Sequence, residues 1–313
     1  MQKSRKLNLI GIAFLLTATL AWGSSFLILK NTIEHVPAFF VIAVRFLFAA
    51  LLLFIILFKR IIKMNKQSLI AGLLLGGATA FAYLVQTWGL IYTTPARNAF
   101  LTSTYCVMCP FLYWLLFRLK PTRYNIFAAI VCITGIGMIS LLGGKGESGQ
   151  NLLLGDGLTL ISGVFYSLQI IFIDKFQKEG VDPMALLVIE FLCVGVLLAG
   201  AWAIFELPYS GINAIVAIKK EQWISIIYLT FACTLYAQFA QIMGQRFANP
   251  NQSALVLSLE AVFGAMFSVI FGAEKLTVFL VIGFILTFSS IMVNEYKLDP
   301  IQLFCKKSKN KVE

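Results

Sequence analysis

Long apolar runs alternate with short polar breaks along almost the whole chain. Each run is close to the ~20 residues that a helix needs to cross a bilayer. Ten are predicted, at about 9–29, 38–58, 68–91, 96–117, 124–142, 154–173, 184–205, 222–246, 251–272 and 278–295. They are too long and too uniformly apolar for barrel strands, and lipid-facing backbone must satisfy its own hydrogen bonds, so each is expected to be helical. The predicted fold class is an all-α membrane protein. The run from Asn251 to Gly272 carries an acid, Glu260, near its middle. A carboxylate there costs about 2.5–3.5 kcal/mol on insertion scales, so it is expected to face a packed or watered interior.

The clearest linker is Gly143 to Gly149, GGKGESG. It divides the ten runs into five and five, and the two sets look alike. Pro37 opens the second run with Arg45 eight residues on, and Pro183 opens the seventh with Glu190 seven residues on. Tyr92-Thr-Thr-Pro95 precedes the fourth run as Phe247-Ala-Asn-Pro250 precedes the ninth, and Thr122 and Thr277 each follow their proline by 27 residues. Five is odd, so the second set would insert upside down. The expected architecture is two inverted five-helix repeats, 1–146 and 147–297, with a basic tail at 298–313 and a substrate site near the midplane.

Composition agrees with a membrane setting: 59% of residues are hydrophobic and 12% charged, against roughly 45–50% and 25% in ordinary domains. The net charge of +11 is dispersed between apolar runs and covers no single face, so nucleic acid is not expected as a partner. With a cytoplasmic N-terminus, 18 Lys and Arg fall on the cytoplasmic side and 6 opposite, with Arg45 inside the second run. This bias predicts both termini in the cytoplasm of a cell-membrane protein. The first run resembles a signal peptide, but its apolar character continues to Leu29 and further spans follow, which favours a helix. Five of the six cysteines lie inside apolar runs, so no disulfide framework is expected. Cys106 and Cys109 read as packing, with no second pair to complete a metal site. Cys305, in the basic tail, is at most a lipidation position.

Several stretches in order resemble the EamA-type members of the drug/metabolite transporter superfamily. They are Ala21-Trp22-Gly23-Ser24-Ser25-Phe26; Gln86-Thr-Trp-Gly89 through Phe100-Leu-Thr-Ser103 and Pro110; Gly155-Asp156; Leu257-Ser-Leu-Glu260; and Gly272-Ala-Glu-Lys-Leu-Thr277. Ala261 stands where the family often has proline, so a bend is expected in the fourth run, at Pro110, more than in the ninth. The resemblance implies a central cavity lined by the first, third and fourth runs and by the sixth, eighth and ninth. The two halves would rock about it. It also implies small metabolites as cargo, commonly amino acids exported from bacteria, with import in some relatives.

The residues themselves name candidates. Glu260 is suited to a cationic substrate group or to proton exchange, because desolvation favours a carboxyl's protonated form; its rival role is structural. Arg45 and Glu190 occupy matching places and are candidates for a pair that breaks during alternating access, or for groups that snorkel to water or cap helix ends. Gln238, Gln241 and Gln245 share one helical face, and Tyr83 and Gln86 sit in the third run with Trp88, a cavity or belt residue. Tyr105, Tyr113, Tyr166, Gln169, Ser24 and Ser25 are further lining candidates. Arg97 and Asn98, and Gln252 with Ser253, open helices where anions are favoured, although Arg97 fits a lipid headgroup contact better. Gly72, Gly76, Gly135, Gly137 and Gly264 read as close helix contacts.

An embedded enzyme is disfavoured. The chain has a single histidine, His35, no HExxH and no phosphate-binding loop, and its longest connection, about 206–221, holds no domain. No cofactor or metal is expected. The partners expected are a small-molecule substrate such as an amino acid, the lipid bilayer and protons. A receptor or scaffold is the remaining alternative, but it requires neither inverted halves nor a midplane acid.

Overall fold

The computed structural model describes residues 2–118, 120–138, 151–248, 250–272 and 277–296; the side chains of 2–6, 136, 250–252, 254–255, 280, 291–292 and 294–296 are outside that description. The expected linker Gly143–Gly149, Cys305 and the basic tail also lie outside the described residues. The main helices are α1 (Gln2–Ile33), α2 (Ala38–Ile56), α3 (Lys66–Tyr92), α4 (Pro95–Phe117) and α5 (Arg123–Gly137). They continue with α6 (Leu152–Lys178), α7 (Pro183–Ser210), α8 (Lys220–Phe247), α9 (Pro250–Ile270) and α10 (Val278–Tyr296). Among the described residues there is no strand. Seven helices are long and apolar enough to cross a membrane, whereas α5, α9 and α10 hold shorter apolar stretches, Arg123–Gly135, Val256–Ile270 and Val281–Ser290.

Local chemistry sets the ends. Asn65, Thr94, Thr122, Asn151 and Asp182 each accept a backbone N–H in the first turn of α3, α4, α5, α6 and α7. Pro95 and Pro183 fit the first helical turn, where no amide hydrogen is needed. Pro37 offers α2 no side-chain acceptor. The Glu206 carboxylate supplies one from α7, taking the Phe39 N–H at 2.9 Å. Glu206 reaches that position because α7 continues through a widened π turn, Trp202–Glu206, to Ser210. The expected loop at 206–221 is therefore partly helical, with a further turn at Asn213–Val216.

The bend expected at Pro110 lies elsewhere. α4 breaks at Ser103-Thr104, between Pro95–Thr102 and Tyr105–Phe117, and Pro110 sits inside the second piece. α9 runs on unbroken past Ala261, whose methyl packs in a cluster with Ala96, Phe100 and Phe284.

Small residues bring the helices together. A Cβ on Gly72 or Gly76 would lie 2.6 Å from the Ile189 or Cys193 Cβ, which fixes α3 against α7. Gly89 and Gly155 put the backbones of α3 and α6 in contact, and Gly11 with Gly244 does the same for α1 and α8. Gly135 meets Thr287 of α10 and Gly264 meets Ala99 of α4, as expected of contact glycines. Gly137 departs from that reading, because a Cβ there would meet nothing within 4 Å. α2 packs on α7, and α9 on α1.

Around an apolar core, the outer surface and the buried charges depart from the pattern of a water-soluble domain. Large apolar side chains such as Ile55, Leu115, Ile130 and Ile133 are exposed on the outer surface. Arg45, Arg97, Asp156, Glu190 and Glu260 are buried inside. Apolar groups outside and polar groups inside is the distribution hydrocarbon solvent selects.

Candidate binding cavity

A cavity of about 40 Å³ lies between α1, α2, α3, α4, α6, α8 and α9. That volume is several times what one water needs, but it is small, so a larger solute requires the side chains to part. Trp22, Ser25 and Phe26 of α1 and Leu257 and Glu260 of α9, which packs against α1, line it. Trp22 is fixed by its indole N–H, which donates to the Cys233 carbonyl at 2.8 Å.

Tyr83 and Gln86 line the cavity from α3, one turn apart. The Gln86 amide donates to Thr102 Oγ1 at 3.0 Å and accepts from the Tyr166 hydroxyl at 2.7 Å, which joins α3, α4 and α6. Tyr83, Tyr105 and Tyr166 form a cluster, with ring centroids 5.7 and 6.4 Å from Tyr166. Glu260 is 5% exposed and is flanked by Ser103 Oγ at 3.5 Å and the Tyr105 hydroxyl. The break in α4 at Ser103-Thr104 therefore sits directly beside the acid.

From α8, Gln238 and Gln241 reach the cavity. Both amide atoms of Gln238 and Oε1 of Gln241 are buried with no hydrogen-bond partner. Gln245, a turn further on, is also buried and unbonded but is not among the lining residues. The shared face thus divides, two glutamines on the cavity and one beyond it.

Arg45 and Glu190 are both fully buried, but they do not bond to each other. Arg45 Nε donates to Thr234 Oγ1 of α8 at 3.0 Å and lines the cavity. Glu190 Oε1 accepts from Thr79 at 2.7 Å and Gln169 at 3.1 Å, while Oε2 has no partner. Gln169 lines the cavity, so it stands between Glu190 and that space. The expectation of a snorkelling or paired arginine is replaced by one held inside on a hydroxyl.

Arg97 is likewise no headgroup contact. It is 2% exposed, and its Nη2 donates to Asp156 Oδ2 of α6 at 2.6 Å. Thr93 donates to Asp156 Oδ1 at 2.7 Å, and Asn98 Nδ2 to Thr159 Oγ1 at 2.7 Å. Ser24 bonds Tyr228 away from the cavity, whereas Ser25 lines it. Tyr113 is also removed, bound to Asp174 at 3.0 Å, and Trp88 is exposed on the outer surface. The Gln252 side chain lies outside the described residues, and Ser253 is buried.

The arrangement can hold a small polar solute. No group of His, Cys, Asp and Glu among the described residues is placed to hold a metal ion. The family model of the EamA-like transporter family matches residues 9–141 and again 153–295. The chain belongs to that family. It is a multi-pass membrane protein of the EamA-like transporters, which are not an enzyme family, and its partners are membrane lipid and a small-molecule substrate.

Two relatives of this EamA-like chain carry transporter names. An "Uncharacterized transporter" of Archaeoglobus fulgidus is 30% identical over 258 residues, covering 82% of this chain and 77% of that one. The "Uncharacterized transporter YetK" of Bacillus subtilis is 24% identical over 188 residues, 59% of this chain and 57% of that one. A solved structure described as "Crystal structure of protein" superposes with a TM-score of 0.65 over 92% of this chain and 96% of that one, at 15% identity, which speaks for the fold alone.

Sequence reasoning picked out eight residues that the fold brings to one cavity: Glu260, Tyr83, Gln86, Tyr105, Tyr166, Gln169, Gln238 and Gln241. It also named Arg45 and Ser25, which lie there too. It gave no role to Trp22, Thr102 or Asp156. For Asp156 a signal was present: an acid opening one apolar run, with an arginine opening another at the same predicted membrane face.

Proposed function

We propose that the protein is a secondary active transporter that exports small metabolites, amino acids among them, by alternating access around this cavity. The carrying observation is the cavity itself: a buried, aromatic-rich space with several polar side chains on its walls, lined by helices from both matched segments and by Glu260. A scaffold would have no use for unbonded glutamine amides at such depth, where each costs desolvation energy.

In this reading the chain has ten spanning helices in two inverted repeats, 1–146 and 147–297, with both termini cytoplasmic. Packing supports the duplication. α3 meets α6 through Gly89 and Gly155, and α8 meets α1 through Gly244 and Gly11. Gly89 and Gly244 each stand six residues before their proline, Pro95 and Pro250. α2 on α7 and α5 on α10 are then the self-paired contacts on the axis.

Protons are the proposed coupling ion and Glu260 the group that exchanges them. Its place beside Ser103 and Tyr105, lining a buried cavity, suits a carboxyl that alternates between proton and substrate. Proteoliposomes loaded with pooled metabolites test the reading. Outward-directed flux of an amino acid under a proton gradient is expected, and Glu260→Gln is expected to lose gradient-driven flux while keeping solute exchange. Unchanged pH dependence in that variant removes the coupling role, and flux only toward the other side reverses the direction.

A further inference from the structure

Arg45 is buried to 1% exposure and lines the cavity. Among the described residues no carboxylate oxygen lies within 4.0 Å of its nitrogens. A guanidinium carries five N–H donors, and Arg45 uses one of them, on Thr234. The two buried acids nearest in function are engaged elsewhere: Glu190 by Thr79 and Gln169, Glu260 beside Ser103 and Tyr105. Arg97 provides the contrast, since it is equally buried and its guanidinium is paired with the Asp156 carboxylate through Nε and Nη2.

Withdrawing a guanidinium from water without an anion is strongly unfavourable. Structural use alone does not account for it, because a neutral side chain would satisfy Thr234 at less cost. Arg45 lines the cavity, and so does Gln238, whose amide is buried with both polar atoms unpartnered.

We infer that Arg45 is the cavity's anion anchor: its guanidinium binds a carboxylate group of the transported solute, with Gln238 completing the polar contacts, and it is not a gate paired with Glu190. This rests on the transporter reading and deepens it, because it states which part of the solute each buried charge takes. Arg45 holds the carboxylate by forked hydrogen bonds, the geometry a guanidinium favours. Glu260, which lines the same cavity from α9, is left for a cationic group or a proton. Solutes with a carboxylate are therefore carried in preference to their amides.

The test uses full-length protein purified in detergent and measures thermal stabilisation by the common L-amino acids, lactate, succinate and 3-phenylpropionate, each beside its amide. At least one acid is expected to raise the melting temperature where its amide does not. For that acid Arg45→Gln is expected to weaken apparent affinity by about tenfold or more, the loss of a charged hydrogen-bond partner, with Arg45→Lys retaining part of it. Phenylglyoxal labelling read by mass spectrometry is expected at Arg45, blocked by the same acid, and absent at Arg97. The inference is overturned if no acid stabilises the protein, if the amides do so equally, or if Arg45→Gln binds the acid within about twofold of the parent. Should Arg45→Gln fail to fold, the acid-against-amide comparison on the parent decides. Flux of a neutral or cationic solute with no protection by acids would sink the anchor and leave the transporter standing. Absence of any flux, with acid binding intact, would do the reverse.

Discussion

The seam between α3 and α6 and the seam between α8 and α1 share a backbone contact and differ in what surrounds it. In the first, a Cβ at Gly89 would lie 2.8 Å from the Gly155 carbonyl oxygen and 2.7 Å from Thr159 Oγ1. In the second, a Cβ at Gly244 would lie 2.9 Å from the Gly11 carbonyl oxygen and 2.6 Å from Leu15 Cγ. Under the proposed duplication Thr159 corresponds to Leu15, Asp156 to Ile12 and Thr93 to Ala248. One seam is thus closed by a buried ion pair and its hydroxyl partners, and the other by apolar packing. Parting the first means separating directed charge–charge contacts, and parting the second means wetting apolar surface. The first therefore responds to substitution of single polar atoms, the second to volume.

The largest effect is expected at the polar seam. Asp156→Ala strands Arg97 in the interior, and loss of one partner of a buried pair costs about 3–5 kcal/mol. Thermal unfolding in detergent should show a steep drop, largely recovered when Arg97→Met is combined with Asp156→Leu. A drop of under ~1 kcal/mol would break the comparison, since the ion pair would then not hold the seam.

Gly89→Ala and Gly244→Ala come next. Each added methyl meets a carbonyl oxygen, and such overpacking costs about 1–3 kcal/mol. Similar losses at the two sites would sharpen the view that the backbone contact is shared, whereas tolerance at one and not the other would break it.

The smallest effect is expected at Arg60–Asp182, a pair of the same chemistry in water. The Arg60 side chain is 55% exposed, against 2% for Arg97. Arg60→Ala is expected to cost no more than about 1 kcal/mol. A loss comparable to that of Asp156→Ala would mean that burial is not what separates the two pairs.

The helices were legible because hydropathy and helix-end chemistry are local. Asn65, Thr94 and Thr122 cap within three residues of where they stand, and twenty apolar residues in a row need no partner to be read. The cavity's glutamines and tyrosines were legible because a polar group inside an apolar run must face inward. What is written between helices was not legible. Arg97 and Asp156 open two apolar runs at the same predicted face, but nothing local says that they meet across 59 residues, and nothing near Pro37 announces that Glu206 will cap α2. Arg45 and Glu190 match in position, but whether two such charges touch depends on rotations about helix axes that spacing does not fix. The break in α4 followed the same rule: Pro110 is the local signal, and the helix yields at Ser103-Thr104, beside Glu260.

The widened turn Leu229–Tyr236 in α8 has a consequence for the glutamines that follow it. A turn that spends one extra residue resets the phase of everything downstream, by about 100° at 3.6 residues per turn. Gln238 and Gln241 look into the bundle because of that extra residue, and Thr234, which carries Arg45, belongs to the same turn. Shortening the chain there by a single apolar position would leave hydropathy almost untouched, yet swing the far half of the helix until its amides pointed toward other neighbours.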